Sequence, residues 1–278
     1  MLIEISLIII TIILLVLASA FDLKNREVPD YLSHALIAIG AAFIILKAVS
    51  SNNYRIILGS FVVFVIFLII SLVMYYTKQW GGGDSKVLIA LGIIFYTYPK
   101  SLLNYFNPSL NLPFPLIIVI NMLIFGSIYG IIYSIMLLKT SKKQFKVRIN
   151  KLLLIPPVIL VLISLTMENM IKLLILVVAL LALVYPYLVN YVKFIEKNCM
   201  LKIIPVSKIT EGDWIAEDIK HKGKIIYQKK SLGITKEQIK ELKKINIKKV
   251  LVKYGIPFIP SFLIAVIISL IVGNILPF

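Results

Sequence analysis

Trp80-Gly81-Gly82-Gly83-Asp84-Ser85-Lys86 sets three glycines and a carboxylate immediately before an apolar run. Glycine tolerates a tight backbone, and an Asp opening a helix suits its free N–H groups and its dipole. A charge this close to hydrocarbon is still costly and needs a reason to be there. Of the 13 acids in 278 residues, only Glu4, Asp22, Glu27, Asp30, Asp84 and Glu168 lie outside one Lys-rich stretch near the C-terminus. Asp22 stands, like Asp84, at the end of a long apolar run. Two such carboxylates at one membrane depth are a candidate catalytic pair.

The chain is 60% hydrophobic and 15% charged, with a mean hydropathy of +0.97. Those values lie outside the soluble globular class. Apolar stretches cover 2–20, 32–49, 54–76, 85–98, 114–138, 152–167, 171–190 and 256–276. Most approach the ~20 residues that ~30 Å of hydrocarbon asks of a helix. The expected fold is therefore an all-α polytopic membrane protein of about eight spans, the fourth short and the sixth interrupted by Pro156-Pro157. Ala18-Ser19-Ala20 looks like a signal cleavage site. However, the first run lacks a basic n-region, carries Glu4 near its start and is long for a signal, so it is expected to stay as a span.

Cys199 is the one cysteine, which excludes an internal disulfide and a cysteine-based zinc site. His34 and His221 are too few and too scattered for a metal cluster, and no His-Glu-x-x-His motif is present. No metal and no cofactor are expected.

Lys and Arg near span ends report orientation. With the N-terminus outside, the inner loops hold Lys24, Arg26, Lys78, Lys86, Lys139, Lys142, Lys143, Lys146, Arg148 and Lys151. The outer segments hold only Lys47, Arg55, Lys100 and Lys172. The segment 191–255 adds 16 Lys to the inner side, which then holds 26 of the 30 basic residues. Two spans separate Asp22 from Asp84, so both aspartates face the cytoplasm.

Three units follow: a bundle over 1–190, a Lys-rich segment over 191–255 and a final span over 256–278. In the middle unit, Ile203-Ile204, Trp214-Ile215 and Lys224-Ile225-Ile226-Tyr227 read as short strands separated by Gly212 and Gly223. Thr235-x-x-Gln238 is a capping box that opens a helix over about 236–245, and Lys249–Lys253 alternates like a strand. A small α+β cytoplasmic domain results. Its lysines are spread without aromatic interleaving, which suits a solvated face beside anionic lipid headgroups better than nucleic acid.

Taken singly, Asp84 could be a helix cap and Asp22 an ordinary loop acid. Together they lie on one side, at span ends, one of them on a glycine turn that lets a peptide backbone approach. Two facing carboxylates do not both ionise easily and share a proton. One can then act as general base on a water while the other polarises a peptide carbonyl.

Asp22 followed by Arg26-Glu27-Val28-Pro29-Asp30, and then Gly81-Gly82-Gly83-Asp84-Ser85-Lys86, resembles the GxGD aspartyl peptidases that process type IV prepilins and archaeal preflagellins. The resemblance implies that Asp22 and Asp84 are the catalytic positions, with Gly81, Gly83 and Lys86 in the flanking pattern and Val28 in place of the commoner Ile. It implies a pilin-like or archaellin precursor as substrate, its short basic leader meeting the protein at the cytoplasmic face of the cell membrane. Glu27 and Asp30 are then natural partners for leader Lys or Arg, or else solvated loop acids. Lys86 orients substrate or snorkels to the interface, while Trp80, Tyr75 and Tyr76 read as an interfacial aromatic belt. Many bacterial relatives carry a cysteine-rich zinc insert and also N-methylate their product. With one Cys and no Gly-rich S-adenosylmethionine loop, this chain is expected to be a peptidase only.

Two other classes remain open. A proton-coupled transporter would use intramembrane carboxylates, but at the midplane and between internal repeats. A non-enzymatic platform for a pilus or secretion machine would use the Lys-rich domain as a docking surface, and leaves both aspartates unexplained.

Overall fold

A computed structural model of the chain describes residues 2–145, 150–221, 223–229 and 232–276. Lys146 and Arg148 of the inner-loop charge set, and Lys222 and Lys230 of the Lys-rich segment, lie outside the described residues.

The chain is mostly helical. Its helices are α1 (Leu2–Asn25), α2 (Asp30–Ser50), α3 (Arg55–Tyr76), α4 (Gly82–Ile94), α5 (Phe114–Ser141), α6 (Ile155–Ser164), α7 (Asn169–Asn198), α8 (Lys236–Lys244) and α9 (Ile259–Ile271). Five of these, α1, α2, α3, α5 and α7, are long and apolar enough to cross a membrane. The expected count was about eight. The other three stretches give α4 and α9 of 13 residues and α6 of 10. At 1.5 Å per residue, 13 residues reach only ~20 Å, short of ~30 Å of hydrocarbon. Both α6 and α9 carry a Pro in the first turn, which sets where each helix starts.

The short α4 is the most enclosed part of the bundle, lying against α2 and α3. Val87, Leu88, Ala90 and Leu91 are at most 1% exposed. A helix wrapped by protein need not match the bilayer, which explains how so short an element sits among long ones. Ser71 and Ser85 exchange hydroxyl-to-carbonyl bonds across the α3–α4 contact at 3.1 and 3.4 Å. Gly92 permits the closest approach. A Cβ there would fall 2.7 Å from Phe67 Cγ and 2.8 Å from its Cβ, near the root of a side chain that is 2% exposed. Gly92→Ala is expected to destabilise the protein by about 1–3 kcal/mol. Thermal unfolding in detergent checks this against Gly130→Ala, where a Cβ meets nothing within 4 Å.

The remaining core partners are α1, α5 and α9, with Leu15, Ile117, Ile118, Phe262 and Val266 fully enclosed. At one end Glu4 binds Lys47 at 2.9 Å and accepts the Ser101 N–H at 2.9 Å. Asp22 lies 18 residues further along α1, ~27 Å away by the helical rise. The α6–α7 hairpin packs on itself and touches α5, leaving most of its apolar surface facing outward.

Towards the C-terminus, β1 (Leu201–Pro205) and β2 (Trp214–Ile215) flank β5 (Lys249–Lys253) in an antiparallel sheet. A second antiparallel pair joins β3 (Ile219–His221) to β4 (Lys224–Tyr227). Thr235 and Gln238 close the capping box of α8, at 3.0 and 3.3 Å. Ile239 and Leu242 on α8 meet Ile215, Tyr227, Ile234 and Val252 in a separate apolar cluster. Of these strands, β3 was not anticipated: Ile219-Lys220-His221 is too short to show alternation.

Candidate active site

Helix α1 does not stop at residue 20. It continues to Asn25, so Asp22 lies within its last two turns rather than beyond its end. There it is 5% exposed. A buried carboxylate in hydrocarbon needs donors. The first turn of α9 supplies them: the Ile259 N–H donates to Asp22 Oδ2 at 3.0 Å, and the Phe258 N–H is directed at the same carboxyl. Asp22 thus receives the free amides of a helix start 237 residues away in sequence.

Asp84 occupies the first turn of α4. Its Oδ2 accepts the Gly81 N–H at 3.0 Å, the half of a capping box that a glycine at the cap position permits. Asp84 therefore serves as a cap residue of α4. Asp84 is half-buried and lies within coulombic range of Asp22, so the fold brings the two acids to the same end of the bundle.

The three glycines differ. A Cβ on Gly83 would fall 3.0 Å from Val28 Cβ and 3.2 Å from its Cγ2, so the α1–α2 corner rests directly on the first turn of α4. At Gly81 and Gly82 an added Cβ would meet only Asp84 Oδ2 at 3.5 Å and Tyr75 Cε2 at 3.9 Å.

Of the other anticipated residues, Lys86 binds Asp30 at 2.6 Å, joining α4 to the start of α2. The side chains are 37% and 69% exposed respectively, so each remains open to solvent or to a ligand. Glu27 accepts the hydroxyl of Thr210, tying the α1–α2 corner to the strand-bearing segment. Trp80 departs from the expected aromatic belt. It packs inward, its ring 5.2 Å from Phe262 and 5.9 Å from Phe258. Tyr76 is 64% exposed and fits a belt position.

Tyr129 stands near Asp22, and Arg26, a flanking-motif residue in the sequence, binds Tyr133. Arg26 ends α1 in a left-handed conformation, φ 59°, with its N–H on the Asp22 carbonyl at 2.8 Å. Glycine would relieve about 1 kcal/mol at such a position. The Tyr129 hydroxyl is buried with no hydrogen-bond partner among the described residues and lies within coulombic range of Asp22 and Arg26. A signal for Arg26 existed: of 30 basic residues only Arg26, Arg55 and Arg148 are Arg. A forked cation in a Lys-dominated chain points to a two-bond site.

Cys199 is buried, 3.3 Å from Ser141 Oγ, in a small cluster with Ile195 and Met200. No group of three or more His, Cys, Asp or Glu arranged to hold a metal ion occurs among the described residues. Cys199→Ser is expected to keep full activity in the cleavage assay below, and a loss would reveal a functional thiol.

With five helices long and apolar enough to cross a membrane, the bundle defines a multi-pass membrane protein. Residues 9–135, which hold Asp22, Asp84, the three glycines and Lys86, match the family described as the Type IV leader peptidase family. The chain is 32% identical over 115 residues to the "Preflagellin peptidase" of Methanococcus maripaludis, covering 40% of this chain and 50% of that protein. It is 30% identical over 120 residues to the "Preflagellin peptidase" of Methanocaldococcus jannaschii, covering 40% and 49%. The protein of the same name from Methanococcus voltae is 27% identical over 111 residues. The chain spans about half the length of the curated relatives it matches. No solved structure matches it. The archaeal prepilin and preflagellin peptidase resemblance drawn from the motifs is thus borne out.

Proposed function

We propose that the chain is an aspartyl endopeptidase of the cell membrane that removes short basic leaders from type IV pilin-like or archaellin precursors at the cytoplasmic face. One observation carries the reading. Asp22 and Asp84 come to one end of the bundle, within coulombic range of each other, inside the stretch that matches the leader peptidase family. The name shared by the relatives, preflagellin peptidase, supports the class of substrate.

In this reading one carboxylate is ionised and its partner protonated. The ionised group takes a proton from a water, whose oxygen attacks the scissile carbonyl carbon. The protonated group gives its proton to the carbonyl oxygen, leaving a neutral gem-diol. On collapse the C–N bond breaks, the nitrogen gains a proton, and the pair returns to a single shared proton. Each assisted proton transfer is worth about 10²–10⁴-fold. The cycle requires no cofactor.

Glu27 and Asp30 lie on the same face as the pair, and the basic leader would meet them there. Asp30 would exchange Lys86 for a leader cation, a modest cost because exposed pairs contribute about 0–1 kcal/mol. The cytoplasmic assignment, with the N-terminus outside and residues 191–255 inside, rests on the 26 of 30 basic residues that this orientation gathers on one side.

The test is direct. Purified protein in detergent is incubated with a pilin-like precursor, and the product's new N-terminus is read by mass spectrometry. A single cut between the basic leader and the apolar helix is expected. An uncut precursor, in lipid as well as detergent, overturns the reading.

A further inference from the structure

Arg26 has no task in the catalytic reading of Asp22 and Asp84, on which this inference rests. Its guanidinium engages partners through both terminal nitrogens. Nη1 donates to the Gly255 carbonyl at 2.6 Å and Nη2 to Tyr133 Oη at 3.0 Å. The guanidinium carbon lies 5.9 Å from the Tyr133 ring centre and 5.4 Å from that of Tyr254. One side chain at the end of α1 therefore grips α5 and the connection from β5 to α9.

That connection is short and consequential. Four residues after Gly255, the Ile259 N–H donates to Asp22 Oδ2. Arg26 itself lies one turn beyond Asp22, so the same corner holds both the carboxylate and the helix start that the carboxylate accepts from. Glu27, the next residue, reaches Thr210 in the strand-bearing segment. A topogenic charge at this membrane end could be a lysine, as most of this chain's basic residues are. The forked pair of bonds to a carbonyl and a phenol requires arginine.

We propose that Arg26 is a positioning residue: it clamps the Tyr254–Phe258 connection onto the end of α1, so that the first turn of α9 holds Asp22 in its working orientation. The strand-bearing segment, anchored through β5 and Thr210, is then part of the device that sets the pair.

The full chain, purified in detergent, is assayed for precursor cleavage and, separately, digested briefly with trypsin. Cutting after Lys253, at the edge of the clamp, is followed by mass spectrometry. Arg26→Gly keeps the left-handed turn, which glycine adopts freely. A shift of an ångström at a reacting group costs about 100-fold, so kcat is expected to fall by ~100-fold, with KM within about twofold. Loosening the connection should speed the cut after Lys253 by at least ~10-fold. Ethylguanidinium, which carries the same planar fork of donors, is expected to restore at least ~10-fold of kcat and to slow that cut, whereas ethylammonium should do neither. Arg26→Lys should behave like Arg26→Gly.

Wild-type kcat in Arg26→Gly, a loss confined to KM, or full activity in Arg26→Lys would each overturn the proposal. Should Arg26→Gly fail to accumulate, Tyr133→Phe removes only the phenol acceptor. It should lower kcat several-fold at constant KM, and an unchanged kcat overturns the clamp. If instead Asp22→Asn cleaves like wild type, the catalytic reading fails, while the protection of the Lys253 bond in wild type against Arg26→Gly still decides the clamp.

Discussion

Asp22→Asn and Asp84→Asn should each abolish leader cleavage in isolated membranes while protein level and the number of spans stay unchanged. Asn is nearly isosteric with Asp and keeps a carbonyl oxygen. At position 22 that oxygen can still accept the Ile259 N–H, and at 84 the Gly81 N–H. The folded state therefore loses little, and only the capacity to hold or release a proton disappears. If each residue transfers a proton in the rate-limiting steps, each loss is worth about 10²–10⁴-fold. Because the two act as a unit, the double variant should be about as inactive as either single one. Two independent losses that multiply would argue against a shared mechanism. Substantial cleavage by either single variant, at equal protein level, would remove the pair from the chemistry. Ion flux without cleavage would favour the transporter, and neither activity the assembly platform.

The features legible in the sequence were those whose partners lie within a few residues. The capping box of Thr235 and Gln238, the glycine turn before Asp84 and the apolar runs of the long helices are all local patterns, and each was placed within a few residues of its position. What escaped depends on distant contacts. The first apolar run ends at residue 20, just ahead of Asp22. The helix continues because the first turn of α9, contributed by the far end of the chain, supplies the donors that make a buried carboxylate tolerable. The stretches of α4, short already in the sequence, and α9 count among the expected spans because apolar composition does not distinguish a helix facing lipid from one facing protein. Trp80 illustrates the same limit. Its position at a span end suggests a belt, and only Phe258, just before α9, and Phe262 on α9 reveal it as a packing residue.

Gly83 should be the least replaceable of the three motif glycines, for a reason that can be separated from the chemistry. A methyl at this position would press on the Cβ and Cγ2 of Val28, at 3.0 and 3.2 Å. Val28 cannot easily give way: it is 9% exposed, its branched side chain is stiff, and Pro29 restricts the backbone that follows. The alternative is to push the α1–α2 corner off α4. That corner carries Arg26 and follows directly on Asp22, so the displacement moves one acid relative to the other. Overpacking of this kind costs about 1–3 kcal/mol in stability, but a misplacement near 1 Å costs about 100-fold in rate. Gly83→Ala is thus expected to lose far more activity than thermal stability, and Gly83→Val more of both. Trimming the opposing side chain should undo the damage. The double variant Gly83→Ala/Val28→Ala is expected to recover most of the lost rate, a coupling of about 0.5–3 kcal/mol between touching residues. Gly81→Ala and Gly82→Ala, whose added methyls meet only ordinary contacts, should unfold at the wild-type temperature. If Gly83→Ala is as inactive with Val28→Ala as without it, the corner contact is not the cause. The glycine would then be required because the substrate backbone itself passes there.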